Sequence, residues 1–138
     1  MIDKLKLLAE RYNLSEIYAF GSRAYYIAML VSGDPIDSSY TESDVDIGVQ
    51  LTHGCKLSAR DKIQLTIDLE DLFKVSQVDL VVISEAGPLL TLDIIRGELL
   101  YCSDLDKQAE HELYVLRRAG DLAFYEQERI NQILFIEE

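Results

Sequence analysis

Two aspartates at alternate positions, Asp44 and Asp46, begin an apolar run of strand-forming residues. Successive side chains of a strand point to opposite faces, so the two carboxylates share one face while Val45 and Ile47 face a core. Gly48 is then expected to leave the carboxylate face open beyond Asp46. Neighbouring carboxylates repel each other unless a cation lies between them. The pattern therefore predicts a site for Mg²⁺, which binds carboxylate oxygens together with substrate phosphates.

A third acid, Asp79, lies near the start of another apolar run, residues 78–83, which is typical of a buried strand. An Asp in such a run is costly unless it faces a cleft or a cation. Three carboxylates from two neighbouring strands can hold two metal ions, which stabilise the attacking and leaving oxygens of an in-line displacement at phosphorus. The three acids together therefore indicate chemistry on a phosphate.

A turn with phosphate-binding character precedes these acids. Residues 16–20 are apolar and aromatic, which favours a strand, and Gly21 after them permits a tight turn and close approach of the backbone to a ligand. Ser22 is predicted to be the N-cap of a helix over residues 23–31. Free N–H groups at that helix start, the Ser22 hydroxyl and the Arg23 guanidinium are all suited to phosphate oxygens.

Six residues resemble the signature of the polymerase-β-type nucleotidyltransferases: Gly21, Ser22, Arg23, Asp44, Asp46 and Asp79. The resemblance covers residues 16–102. The short chain is also similar to the minimal nucleotidyltransferases, the MNT antitoxins that are encoded beside HEPN ribonuclease toxins. The spacer between the serine and the first aspartate, residues 23–43, is longer than in many family members, and the extra length lies around residues 31–43. The resemblance implies a small mixed β-sheet flanked by helices, with a long C-terminal helix.

The same resemblance implies an activity and a partner. The chain would transfer AMP from ATP, with Mg²⁺, to a tyrosine of a cognate HEPN toxin, and would act as the antitoxin in a hetero-oligomer with it. Gly21 and Ser22 would bind the β- and γ-phosphates, with Arg23 as a further nucleotide contact. The ligands of the metal would be the three acids, Asp44, Asp46 and Asp79. Asp79 would also be the general base that takes the proton of the acceptor hydroxyl.

Three alternatives stay open on the sequence alone. One is a nucleotidyltransferase that modifies a small molecule, such as an aminoglycoside-like acceptor. Another is an antitoxin that neutralises its toxin by binding alone, without magnesium or ATP. In the third, the acids are solvated strand residues without a catalytic role, although Asp is depleted in strands.

Composition limits the other classes of function. The 138 residues suggest a single domain, with residues 1–102 as the catalytic core and residues 103–138 as a C-terminal helical segment. A formal net charge of -12 argues against direct, sequence-independent binding of nucleic acid. No signal peptide or membrane-spanning run is expected. Cys55 and Cys102 lie in no CxxC pattern, so we expect reduced thiols in a cytoplasmic protein.

Hydrophobic periodicity predicts an α/β domain in which helices flank the sheet. Beyond the segments above, helices are predicted over residues 1–12, 58–73, 89–95 and 104–136, and a final strand over residues 98–102. Ser58 with Asp61, and Ser103 with Asp106, have the spacing of helix-capping residues. The polar residues 32–43 are interpreted as a loop beside the site.

The last predicted helix is longer than a small sheet needs for its cover. Gly120 within it costs about 1 kcal/mol relative to Ala, and is expected to mark a kink or a close contact with another helix. The far end of the helix carries Ile130 and further apolar residues. Docking of this end on a partner and folding back onto the sheet are both compatible with the pattern.

Overall fold

The computed structural model describes residues 1–33 and 44–136, and helices and strands alternate along them as the periodicity predicts. The helices are α1 (Ile2–Tyr12), α2 (Ala24–Ser32), α3 (Ala59–Phe73), α4 (Pro88–Ile95) and α5 (Leu105–Ile136). The strands are β1 (Leu14–Phe20), β2 (Val45–Leu51), β3 (Val78–Val82) and β4 (Glu98–Cys102). Most of the predicted loop, residues 34–43, lies outside the described residues, as does Tyr40.

The four strands of the described chain form one mixed sheet in the order β3-β2-β1-β4. β1 is antiparallel to both β2 and β4, whereas β2 and β3 are parallel. This confirms the expected mixed sheet flanked by helices. The end of β1 and the start of β2 therefore lie side by side, and the start of β3 lies next to them.

Each face of the sheet is covered by its own set of helices. One face packs on α1, α2 and α3 through a buried cluster that includes Ile17, Ala19, Ile47, Leu65 and Leu69. The opposite face packs on α4 and α5 through a smaller cluster that includes Tyr18, Phe20, Ile94, Ile95 and Val115. Since Val45 and Ile47 are buried in the first cluster, the alternating Asp46 belongs to the second face, the one under α4 and α5.

Two of the three predicted helix starts need correction. Ser58 does cap α3, because its hydroxyl accepts a hydrogen bond of 3.0 Å from the Asp61 N–H. Ser22 does not cap α2, because residues Gly21–Arg23 form a 3₁₀ turn and move the N-cap position to Arg23. At α5 the cap is Asp104 and not Ser103. Oδ1 of Asp104 accepts hydrogen bonds from the backbone N–H groups of Asp106 and Lys107.

The long C-terminal helix divides into two parts. Val115 and Ala119 in its first half are buried against α4 and the sheet, whereas Phe124 is 69% exposed and Ile130 51% exposed. No described atom lies within 4 Å of the position that a Cβ on Gly120 would take, so the expected close helix contact is not made within the described chain. None of the helices in residues 1–33 and 44–136 has the length and apolar character required to cross a membrane.

Candidate active site

Asp46 lies between the glycine turn and the third acid. In the antiparallel β1–β2 pair it stands opposite Phe20, the residue before Gly21, and in the parallel β2–β3 pair it stands opposite Asp79. A Cβ placed on Gly21 would be 2.5 Å from Oδ2 of Asp46. The fold thus brings Gly21, Asp46 and Asp79 together at one edge of the sheet, although 57 residues of sequence lie between the first and the last.

Gly21 is required at this position for two independent reasons. Its φ of +74° lies in the left-handed region, which residues with a Cβ adopt only with strain. A Cβ would also require the Asp46 carboxylate to turn away. The exposed Ser22 and half-buried Arg23 complete the 3₁₀ turn that leads into α2. The predicted tight turn is therefore present. In this structure the group that approaches Gly21 is the Asp46 carboxylate, whereas the sequence predicted a ligand.

The carboxylate of Asp46 is repelled by the negative charges of its neighbours. Burial raises the pKa of the Asp46 carboxyl above its usual value, and the negative charges of Asp79 and Asp44 raise it further. Asp46 is half-buried, while Asp44 and Asp79 are exposed. The ionised form of Asp46 is thus disfavoured in the protein alone, and a bound cation would relieve both the desolvation and the repulsion.

Asp79 is oriented by Gln77, the residue immediately before β3. The side-chain amide of Gln77 donates a hydrogen bond of 3.3 Å to Oδ1 of Asp79. The backbone N–H of Val45 donates to the carbonyl oxygen of Gln77 at 3.1 Å, which ties the start of β2 to β3. Gln77 was not among the predicted site residues, and only its position two residues before Asp79 signals its role.

Gly48 does not leave the carboxylate face open, contrary to the sequence-based expectation. A Cβ on Gly48 would be 2.5 Å from Cγ2 of Ile94, so α4 lies directly over the strand at this point. Gly97 has a similar role, because a Cβ there would collide with the carbonyl oxygen of Ala19 and would be 3.0 Å from Cα of Phe20. These two glycines allow α4 and the segment after it to approach the strands that carry Gly21 and Asp46. The open part of the face therefore ends at Asp46.

The carboxylates at this edge of the sheet could supply some, but not all, of the ligands of a metal ion. Within residues 1–33 and 44–136 no group of three His, Cys, Asp or Glu side chains converges in a way that could hold a metal ion. Mg²⁺ commonly binds through one or two carboxylates and completes its shell with water and substrate phosphates. Asp44 and Asp46, with mutual repulsion that a cation would relieve, have the oxygen chemistry that this mode of binding requires.

Gly21→Ala should destabilise the protein by more than left-handed strain alone accounts for. Strain at a positive φ costs about 1–3 kcal/mol, and the Asp46 carboxylate, the end of a side chain that must turn away, adds a smaller cost. Gly54→Ala is the matched control, because Gly54 has a φ of +84° and no described atom within 4 Å of the added Cβ. Urea unfolding of both variants measures the difference, and equal losses would show that Asp46 does not confine Gly21.

Comparison with known proteins identifies the family and the fold. The family model described as polymerase beta nucleotidyltransferase matches residues 3–106. Curated protein sequences gave no match. A chain of the toxin-antitoxin MntA-HpeT mutant aligns with a TM-score of 0.67 and 19% identity, over 97% of this chain and 98% of that chain.

Two further solved structures have the same fold at full length. A chain of a toxin-antitoxin structure with AMP-PNP aligns with a TM-score of 0.63 and 20% identity, over 96% of this chain and 98% of that chain. A chain of the tri-AMPylated Shewanella oneidensis HEPN toxin in complex with MNT antitoxin aligns with a TM-score of 0.62 and 19% identity, over 96% and 95% of the two chains. Since the family model spans most of the sequence and includes Gly21, Asp46 and Asp79, this chain belongs to the polymerase beta nucleotidyltransferase family.

Proposed function

We propose that this protein transfers AMP from ATP to a tyrosine of a cognate HEPN toxin and thereby acts as the antitoxin. The observation that carries the proposal is the position of Asp46 between the Gly21 turn and Asp79. Membership of the nucleotidyltransferase family supports the class of reaction. Similarity along the whole chain to toxin–antitoxin structures, one with AMP-PNP and one with an AMPylated toxin, supports the nucleotide and the partner.

The turn at Gly21–Arg23 is the part of the site that binds the triphosphate. Gly21 has no side chain, so its backbone can lie directly against phosphate oxygens. Ser22 is exposed and offers a hydroxyl donor, and Arg23 follows it on the same turn. Their function is to hold the β- and γ-phosphates, so that the α-phosphorus lies near the carboxylates of β2.

In this proposal Asp44 and Asp46 hold Mg²⁺, and the Asp79 carboxylate lies beside Asp46 on the neighbouring strand. The metal, when bound, would neutralise triphosphate charge and stabilise the oxygens that attack and leave the α-phosphorus. The raised pKa of Asp46 supports this role, because it reports a carboxylate whose negative charge is not compensated in the protein alone. The carboxylates themselves position the nucleotide and add no covalent chemistry.

Asp79 is the general base. Its Oδ1 accepts a hydrogen bond from Gln77, which leaves the other carboxylate oxygen to accept the proton of the acceptor hydroxyl. The acceptor oxygen forms its bond to the α-phosphorus as the bond from that phosphorus to the bridging oxygen breaks, and pyrophosphate leaves. Asp79 is exposed, and this role requires exposure because the acceptor hydroxyl belongs to a second protein.

The proposal is tested by intact-mass spectrometry of the HEPN protein encoded beside this chain, after incubation with this protein, ATP and Mg²⁺. We expect the partner to gain mass in whole AMP units, and EDTA to prevent the gain. Peptide mapping should place the modification on tyrosine. A stable complex with silenced ribonuclease activity but no mass gain would contradict transfer and favour neutralisation by contact. Absence of both would direct the search to small-molecule acceptors.

A further inference from the structure

The strand that carries Asp79, β3, is an edge strand of the described sheet. The strand order places β2 on one side of β3 and no described strand on the other. The N–H of Val45 donates to the carbonyl oxygen of Gln77 at 3.1 Å, and this bond fixes which backbone groups point toward β2. Because backbone groups alternate in direction along a strand, those of Asp79 and Val81 also point toward β2, whereas those of Leu80 point outward.

Leu80 presents the free part of this outer edge. On one side of it, the outward N–H of Val78 donates to a carboxylate oxygen of Glu70 in α3 at 3.0 Å. On the other side, Val82 is buried. Leu80 is half-buried, and its outward N–H has no hydrogen-bond acceptor within residues 1–33 and 44–136. An added strand would therefore pair with the N–H and carbonyl groups of Leu80.

This edge of β3 lacks the features that usually prevent the addition of another strand. Edge strands are commonly protected by Pro, by Lys, by a β-bulge or by a covering element. The sequence of β3 is VDLVV, and its pairing with β2 is regular over all five residues. The only charged residue of the strand is Asp79. A regular apolar edge strand of this kind is suited to pair with an extended segment of another chain.

Position and charge indicate which segment pairs there. Asp79 stands opposite Asp46 in the β2–β3 pair, so a residue beside Asp79 on an added strand would lie at the candidate active site. The formal net charge of -12 favours a basic segment over an acidic one. We propose that an extended, basic segment of the toxin adds to the outer edge of β3 through Leu80 and places its acceptor tyrosine beside Asp79. This inference rests on the proposed transfer of AMP to a tyrosine.

Leu80→Pro tests the backbone contact. Pro has no N–H, and at this position it removes the outward donor while the residues that pair with β2 keep theirs. We expect single-turnover transfer to the HEPN protein encoded beside this chain to fall at least about tenfold, the effect of one lost hydrogen bond. The affinity of the free protein for ATP with Mg²⁺ should not change.

Leu80→Ala is the matched control, because it also loses the packing of the leucine side chain against the core but keeps the N–H. Transfer by the Ala variant should stay close to that of the wild type. Equal rates of transfer by the Pro and Ala variants would overturn the inference, because the N–H of residue 80 would then make no contact that matters to the reaction.

Amide hydrogen exchange of the isotope-labelled wild type, followed by NMR, provides a second measurement that needs no substitution. The complex is formed with the toxin, Mg²⁺ and an α,β-methylene analogue of ATP, from which pyrophosphate cannot leave. We expect exchange at the Leu80 amide to slow at least about tenfold relative to the free protein, because the amide gains an acceptor. The Val81 amide, which faces β2, should be protected in both states.

The two measurements separate failure of this inference from failure of the proposed function. A Leu80 amide that is already protected in the free protein, or that is unchanged in the complex, would overturn strand addition even where the wild type transfers AMP to the toxin. A wild type that transfers no AMP to the toxin would overturn both.

Discussion

Asp44→Asn combined with Asp46→Asn should abolish AMP transfer while leaving the protein folded and able to bind its toxin. Asn keeps the size of each side chain and removes the charge that the metal and the triphosphate require. We expect the rate of transfer to fall by at least about 10³-fold, equivalent to about 4 kcal/mol of transition-state stabilisation. Single-turnover transfer, followed by intact mass, measures the loss. Asp3→Asn with Asp71→Asn makes the same change in net charge at exposed helical positions and should leave transfer unchanged.

The same substitution at Asp46 should raise stability at neutral pH. The folded pKa of Asp46 is above its unfolded value, so the folded protein holds the proton more tightly than the unfolded chain does. The stability that this carboxyl contributes is therefore present at acid pH and is lost as the pH rises through the folded pKa. The thermal midpoint of Asp46→Asn should exceed that of the wild type at pH 7, and the two should converge at acid pH. A variant less stable than the wild type at pH 7, or one that still transfers AMP, would refute the role assigned to Asp46.

Gly97→Ala should cause the largest loss of stability among single-methyl additions to this chain. The added Cβ would collide with the carbonyl oxygen of Ala19 and contact the backbone of Phe20, and neither can move without shifting the C-terminal end of β1. We expect a cost of about 3 kcal/mol or more, at the upper end for overpacking, because the obstacle is backbone and not a flexible side chain. Urea unfolding at neutral pH measures this loss of stability. The dependence of the unfolding free energy on urea concentration should be compared with that of the wild type.

Gly120→Ala is the control for Gly97→Ala, because it adds the same methyl group to helix α5 with no described atom within 4 Å. It should stabilise the free protein by about 0.5–1 kcal/mol, since Ala has the higher helix propensity. The two substitutions are thus expected to change the free energy of unfolding in opposite directions. A loss of less than about 1 kcal/mol in Gly97→Ala would mean that the segment after α4 can move away from β1 at little cost.

Local patterns predicted most of the elements because each depends on neighbours in sequence. The amphipathic spacing over residues 1–12, the alternation at Asp44 and Asp46, and the Ser58 cap all act within a few residues. The caps at Ser22 and Ser103 were wrong for two different reasons. The 3₁₀ turn over Gly21–Arg23 displaces the start of α2, and at α5 the carboxylate of Asp104, one residue after Ser103, accepts the hydrogen bonds instead.

Glycines were interpreted less well than acids. A glycine in a sequence signals only that a side chain is absent, and what occupies the space depends on distant elements. Gly21 was identified as a point of close approach, and the neighbour that structure adds is Asp46. Gly48 was expected to keep the site open, but Ile94 fills that space, and only the structure shows that Gly97 packs against the backbone of β1. The catalytic and metal-binding roles of the predicted site residues stay predictions, which the substitutions above test.

By itself, the sequence determined the alternation of helices and strands and the membership of a nucleotidyltransferase family, whereas β2 begins at Val45 and the shared face of Asp44 and Asp46 stays a prediction. These follow from periodicity and from short motifs. Only the tertiary structure decided that Asp79 lies opposite Asp46, because strand order and register are set by long-range pairing and by burial of whole faces. It also decided that Gln50 of β2 and His111 of α5 line one cavity although 60 residues lie between them in the sequence, because α5 packs on the sheet.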